Sequence, residues 1–359
     1  MIYKYSIEND IEWESIVKSF QNFDIYYLPN YVKAFWHHGD GIPMLFYYVN
    51  EEIRGINVVM MRDISTIALY KEKIPENTYF DIITPYGYGG FIIEGNITKD
   101  SLNRLNEEYT NYCYKEGIIS EFVRFHPFFQ GEKLHNIYNI RELGKTVSMK
   151  LVNKEQIWNN LTSKNRNMVR KAKSVSIHVY WGQEPSLYDK FKFLYYQTMD
   201  KDRANPYYYF SDTFFQSILV DCKYSSLIFY ALFEDKIIAM SIVLFKGKTM
   251  HYHLSASDSN YKHLAPTNLL LYEAACFGCE NGYEYFHLGG GLGSKEDSLY
   301  KFKSSFNKEG GIPYYVGEKI FHQGMYEQLV NIRSEVMNKE GDEIVEKKEA
   351  YFPLYRLPV

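Results

Sequence analysis

Apolar and polar positions change period repeatedly along this chain, and the changes mark out two runs of elements in the same order. In the first half, Pro29 to His38 reads as a helix with proline in its first turn. Pro43 to Val49 and Ile53 to Met61 predict strands, joined as a hairpin at Asn50-Glu51-Glu52. Tyr79 to Thr84 predicts another strand, which runs into Pro85-Tyr86-Gly87-Tyr88-Gly89-Gly90. A helix over Lys99 to Glu116, stopped by Gly117, then leads to a strand over Ile119 to His126.

The second half repeats the series. Ser211 caps a helix reaching Val220. Leu227 to Phe233 and Ile237 to Phe245 form a hairpin around Glu234-Asp235-Lys236, and Thr249 to Ala256 adds a third strand. A helix from Pro266 to near Gly282 precedes a strand over Tyr283 to Leu288, which enters Gly289-Gly290-Gly291-Leu292-Gly293. Between the runs, Asn153 to Ser174 reads as two helices divided near Leu161-Thr162. After them, Met325 to Lys348 reads as a charged amphipathic helix, and Tyr351 to Val359 as a closing strand or arm. Strands interspersed with helices predict an α/β (α+β) fold with a mixed sheet in each of two lobes. The lobes span residues 1–150 and 151–317, and the tail, 318–359, joins the first.

Composition narrows the function. Hydrophobic residues at 46% and charged residues at 23% are globular values, so disorder is not the default reading. No apolar run reaches the 18 or so residues of a membrane span, and the start lacks a secretory apolar region. Four cysteines over 359 residues make no disulfide framework. The expected location is the cytoplasm. A net charge of −4 and a pI near 6.2 argue against a general nucleic-acid binder, while leaving room for a local basic patch. Aromatic residues reach 18%, with 35 Tyr, and two readings stand: stacking on sugars or bases, or a compositional bias shared with Ile, Asn and Lys.

Hairpin, strand, helix, strand and short helix is the core order of GNAT acyltransferases. Leu288-Gly289-Gly290-Gly291, followed by Asp297-Ser298-Leu299-Tyr300-Lys301-Phe302-Lys303-Ser304-Ser305-Phe306, resembles the Fem signature of a small-residue turn and a Phe-Lys-x-x-Phe segment. Ser163 to Asn167 with Arg170-Lys171-Ala172-Lys173 is similar to the basic helix that opens the second lobe of that family, and Arg203 before Tyr207-Tyr208-Tyr209 to its Arg-then-Tyr-Tyr segment. The likeness covers most of 150–317 and, more loosely, the first lobe. The long coiled-coil insertion of tRNA-docking members is missing. The resemblance implies two tandem GNAT-like lobes and transfer of an aminoacyl group, carried by aminoacyl-tRNA with no further cofactor. The acceptor it implies is an amine of a peptidoglycan or other glycoconjugate precursor, nucleotide-linked or lipid-linked.

Amide formation from an activated ester needs a neutral amine, a positioned carbonyl and stabilisation of the developing oxyanion. Lys303 is the candidate for the last role, because the family places a lysine there and an ammonium is a compact charge. The bland reading is a solvated helix lysine. His287, just before the glycine turn, either meets the substrate amine or is a hydrogen-bonded core histidine. Gly290 and Gly291 either present backbone N–H groups to a ligand or simply link strand to helix. Tyr86 and Tyr88 are candidate acceptor contacts at a strand end. Arg166, Arg170 and Lys173 lie at i, i+4 and i+7 on one helical face, a phosphate site or a solvated face. Arg203 is a second phosphate candidate on the resemblance.

Cys276 and Cys279 have zinc-like spacing, but no second pair matches them, so no metal is expected. Acetyl-CoA enzymes hold the pyrophosphate on glycine-rich backbone at a helix start. Here that stretch is Asn260 to Thr267, with no glycine and with Pro266 lacking an N–H. Two alternatives stay open: acyl-CoA-dependent N-acylation of an amino sugar or similar amine, and a non-catalytic saccharide-binding module of the same fold.

Overall fold

The computed structural model describes residues 1–129, 131–339 and 351–358. In chain order the first half contributes β1 (Ile2–Ser6), α1 (Asp10–Lys18), α2 (Pro29–His38), β2 (Ile42–Val49), β3 (Ile53–Asp63), β4 (Phe80–Ile83), β5 (Ile92–Gly95), α3 (Lys99–Lys115), β6 (Ile118–Arg124) and β7 (Asn139–Lys150). The second half contributes α4 (Lys154–Asn160), α5 (Ser163–Ser174), β8 (His178–Gly182), α6 (Pro185–Asp202), α7 (Asp212–Val220), β9 (Ser226–Phe233), β10 (Lys236–Lys246), β11 (Thr249–Ser257), α8 (Pro266–Glu280), β12 (Tyr285–Gly289) and α9 (Ser298–Ser304). The chain ends with β13 (Ile312–Ile320) and α10 (Gln323–Lys339). Local chemistry sets many of these boundaries. Proline opens α2, α6 and α8, where its missing N–H costs nothing. Side-chain oxygens of Thr98, Thr162, Ser211 and Asp297 cap α3, α5, α7 and α9.

The chain divides into two compact units. Unit 1 holds Met1–Asn22, Tyr26–Glu142 and Tyr315–Val359, and unit 2 holds Phe23–Ile25 and Leu143–Tyr314. Within unit 1 the strands run β1-β2-β3-β4-β6-β13, with β5 pairing β3. All neighbours are antiparallel except β4 and β6. Within unit 2 they run β8-β9-β10-β11-β12-β7, again antiparallel except for β11 and β12. Strand for strand, the two sheets share order and polarity. The sixth strand is exchanged in chain order: β7 leaves the first run and pairs β12, while β13 leaves the second run and pairs β6.

The units differ at their one parallel pair. In unit 1, β4 pairs β6 along its whole length, and the bonding goes on past it. Thr84 N–H donates to Phe122 O at 3.2 Å, and Gly89 N–H to Arg124 O at 2.8 Å. In unit 2, β11 and β12 pair only at Thr249–Tyr285, Met250–Phe286 and His251–His287, and then part. A register shift against β10 at Ile242/Val243 leaves His253 as an extra, bulged residue of β11, which bends the strand at this point. Unit 2 therefore carries an open wedge where unit 1 is sealed. Its core, including Met250, Leu270, Phe286, Leu288 and Tyr300, fixes both strands and α9 around that wedge.

The tail follows its expected form as far as it is described. The helix predicted to Lys348 runs as α10 to Lys339, and the rest of that stretch lies outside the described residues. Tyr351 to Pro358 forms an arm with a single short turn, and no strand. Tyr355 is fully buried, with its hydroxyl 2.7 Å from Ser120 Oγ, and Arg356 pairs with the buried Asp81.

Candidate functional site

Lys303 spans the wedge just past the point where its strands part. Its Nζ donates to the carbonyl of Gly290, the residue after β12, at 2.7 Å. It also stands 5.8 Å from the ring centroid of Tyr252, the first residue of β11 beyond the last pair with β12. The side chain is buried, at 9% exposure, so the solvated-lysine reading does not describe it. Burial pushes its pKa down to about 8, against a smaller upward pull from the Asp297 carboxylate. The ammonium is a desolvated charge with one carbonyl partner, and it has two further N–H donors to direct elsewhere.

The glycine turn is folded around Asp297. One carboxylate oxygen accepts the Tyr300 N–H at 2.9 Å and starts α9, and the other accepts the Leu292 N–H at 3.1 Å. A Cβ on Gly291 would come 2.1 Å from Lys295 O and 2.3 Å from Asp297 Oδ1, so only glycine fits there. Gly290 thus offers its carbonyl to Lys303, a contact that the expectation of backbone N–H donors did not foresee.

His287 is buried on β12, in register with His251 on β11, and the two ring centroids are 5.8 Å apart. His251 Nε2 lies 3.0 and 2.9 Å from the two carboxylate oxygens of Asp24, a residue of the short Phe23–Ile25 segment of unit 2. The last paired residues of the wedge therefore carry a carboxylate–imidazole pair beside a second imidazole. Sequence reasoning missed Asp24, which stands 227 positions from His251 with no local pattern to signal the contact. The role of Asp297 was missed as well, although an Asp three residues ahead of Tyr300 is a readable cap signal.

The basic face of α5 exists as predicted, but its cations are engaged inside unit 2. Arg166 donates to Leu161 O at 2.6 Å and so ties down the carbonyl end of α4. The Arg170 guanidinium lies 5.1 Å from the ring centroid of Trp158 and donates to Asn167 Oδ1 at 3.0 Å. Lys173 pairs with Glu273 at 2.7 Å and sits over Tyr272. Arg203 is exposed, in a left-handed conformation (φ 48°) at the end of α6. In unit 1, Tyr86 is half-buried and stacks on Phe35 at 5.3 Å, and Tyr88 packs edge-on against Tyr26 at 5.5 Å. Arg124 holds the loop that carries them, donating to the carbonyls of Thr84, Pro85 and Gly87.

Where acetyl-CoA enzymes present backbone N–H groups, the turn before α8 uses its own. The N–H of Asn260 donates to Asp258 Oδ1, that of Tyr261 to Asp258 O, and that of Ala265 to Lys262 O. Asp258 adds a carboxylate at this spot, paired with Lys236 at 2.9 Å.

The family described as Acetyltransferase (GNAT) domain matches residues 163–303, a span that ends on Lys303. No curated protein matches the chain in sequence. Among solved structures, FemX is similar with a TM-score of 0.64 and 13% identity, over 91% of this chain and 99% of FemX. A conserved protein of unknown function from Bacteroides thetaiotaomicron is similar at 0.57 and 12% identity, over 89% of this chain and 99% of the other. The C-terminal domain of a putative lysylphosphatidylglycerol synthetase from Agrobacterium fabrum is similar at 0.54 and 14% identity, over 87% and 92%. With an open wedge, a buried lysine across it and an acetyltransferase (GNAT) domain match that ends on that lysine, the chain is an acyltransferase of the GNAT fold, and its fold is similar to that of FemX.

Proposed function

We propose that unit 2 forms an amide by transferring an aminoacyl group from aminoacyl-tRNA to an amine of a peptidoglycan or related glycoconjugate precursor. The observation that carries this reading is the buried Lys303 ammonium, held on the Gly290 carbonyl at the opening of the β11–β12 wedge. The ester carbonyl enters the wedge, the amine nitrogen attacks it, and the carbonyl oxygen gains negative charge. Lys303 stabilises that charge with an N–H aimed into a site of low dielectric, where such a donor acts most strongly. Collapse of the intermediate breaks the bond to the ribose oxygen, which takes up a proton as the amine gives one up. The Asp24–His251–His287 run at the last paired residues supports His287 as the acceptor of the amine's proton.

The turn before α8 supports a carrier other than coenzyme A. Three of its N–H groups are spent internally and Pro266 has none, which leaves few backbone donors for a pyrophosphate. FemX and the putative lysylphosphatidylglycerol synthetase share the fold, which is compatible with aminoacyl chemistry. The expected place of reaction is the cytoplasm, where both substrates are made. Among the described residues no helix is long and apolar enough to cross a membrane.

Calorimetry against acetyl-CoA, an aminoacyl-tRNA and a UDP-linked amine-bearing precursor tests this reading. The expected result is no tight binding of acetyl-CoA and salt-sensitive binding of the other two. Micromolar binding of acetyl-CoA alone would reverse the reading in favour of acyl-CoA-dependent N-acylation, the chemistry named by the matching domain. Binding of the precursor with no transfer from any carrier would mark a saccharide-binding module.

A further inference from the structure

We infer that Asp297 is a positioning residue for acyl transfer: by gathering the 290–297 turn around its carboxylate, it sets where the Lys303 ammonium stands. This rests on the reading of Lys303 just given.

Three contacts form one mechanical chain. Asp297 accepts the Leu292 N–H with one oxygen and the Tyr300 N–H with the other, at 3.1 and 2.9 Å. The first bond closes the turn, and the second fixes the start of α9 and hence the direction in which Lys303, six residues along, leaves the helix. The turn in its closed form presents the Gly290 carbonyl to Lys303 at 2.7 Å. The closure is tight, since Gly291 has no room for a Cβ against Asp297 Oδ1 and Lys295 O. Loosening the turn therefore moves the carbonyl that anchors the ammonium, and the helix that carries it, together.

Asp297 also acts on Lys303 through space. Tyr252 from β11 and Asp297 from the head of α9 lie near the ammonium, and Asp297 favours its charged form. The backbone N–H groups that Asp297 accepts keep its own pKa below the usual carboxylate range, so it stays charged over the working pH. Desolvation pulls Lys303 toward the neutral form, and the neighbouring carboxylate opposes that pull. A cap without charge would leave the lysine's titration untouched, and a charged cap with no part in the reaction would leave kcat untouched.

Asp297→Asn separates these effects, because Asn still accepts the Tyr300 N–H and still caps α9. The measurements are the titration of Lys303 in [13Cε]lysine-labelled full-length protein, assigned with Lys303→Met, and steady-state kinetics of transfer. Glu296→Gln serves as the charge control, since Glu296 is exposed and pairs with Lys145. The expected result for Asp297→Asn is a titration moved downward by roughly half a unit to one unit, with kcat lowered on the order of 10- to 100-fold and KM little changed. Asp297→Ser, a smaller cap without charge, is expected to behave alike. If kcat falls while the Lys303 titration stays put, Asp297 is a helix cap only and the inference is overturned. An unchanged kcat overturns it as well, whether or not the titration moves. A fully active Lys303→Ala enzyme would instead remove the reading of Lys303 itself, an outcome distinct from either of these.

Discussion

Lys303 Nζ and the Gly290 carbonyl oxygen lie 2.7 Å apart, which joins α9 to the end of β12 and makes a buried ammonium the polar centre of the wedge. An ammonium held at a pKa of about 8 is largely charged at neutral pH and is lost as pH rises through that value. The rate of transfer is expected to fall on the alkaline side with a midpoint near 8, which a pH profile of kcat checks. Lys303→Arg should abolish that limb, since a guanidinium stays charged.

The same shift has a consequence for stability. Folding lowers the pKa of Lys303 from the ordinary lysine value of 10.5 to about 8, so between those pH values the unfolded chain binds more protons. Stability gains from this group as pH rises across that window, by at most roughly 3 kcal/mol. Urea unfolding of wild type and Lys303→Met at pH 7.5 and pH 10 checks it. The stability of the variant relative to wild type is expected to be higher at pH 7.5 than at pH 10.

Unit 1 shows the opposite sign at Glu121. This fully buried carboxyl of β6 accepts from Asn57 Nδ2 at 2.7 Å and Tyr109 Oη at 3.0 Å, and it faces Lys319 across the strand pair. Burial pushes it up to about 7 from an ordinary 4.5. Burial also lowers the pKa of Lys319, whose ammonium donates to Ile137 O. A raised folded pKa stabilises below the unfolded value, and that contribution is lost as pH rises through about 7. The unfolding transition of unit 1 is expected to weaken between pH 5 and 7.5 in wild type and to be flatter in Glu121→Gln, as denaturant titrations at the two pH values will read.

Two glycines of one turn are expected to answer differently to the same change. Gly291→Ala drives a methyl into Lys295 O and Asp297 Oδ1, and overpacking of that kind typically costs about 1–3 kcal/mol. It also opens the turn that anchors Lys303, so transfer should fall steeply while the fold of unit 2 persists. A Cβ on Gly293 meets nothing within 4 Å, and only its left-handed backbone (φ +57°) resists alanine, at about 1–2 kcal/mol. Circular dichroism melts and transfer assays of both variants compare them.

Much of the fold was legible because its punctuation is local. Pro29, Ser211 and Pro266 mark helix starts that need no knowledge of the rest of the chain, and α2, α7 and α8 begin there. The hairpins β2–β3 and β9–β10 declare themselves by alternation and short polar turns. The exchanged strands β7 and β13 were not legible, because each pairs with a strand of the other run and only tertiary register identifies it. The site divides the same way. Lys303 stood out through its Phe-Lys-x-x-Phe setting, whereas the spacing of Arg166, Arg170 and Lys173 gave their helical face but not their partners. Which face of a helix is basic is a local fact. Whether Trp158, Glu273 or a carbonyl waits opposite is decided by packing.

Transfer by the Lys303→Ala enzyme, followed as single-turnover amide formation between aminoacyl-tRNA and the amine-bearing precursor, probes the role of the buried ammonium at its source. Loss of one donor aimed at a developing oxyanion typically costs on the order of 100- to 1,000-fold in rate. That loss is expected here, with the unfolding transition of unit 2 retained and donor binding little altered. A rate within a few fold of wild type would contradict it, and would leave Lys303 as a buried strut between α9 and the Gly290 turn.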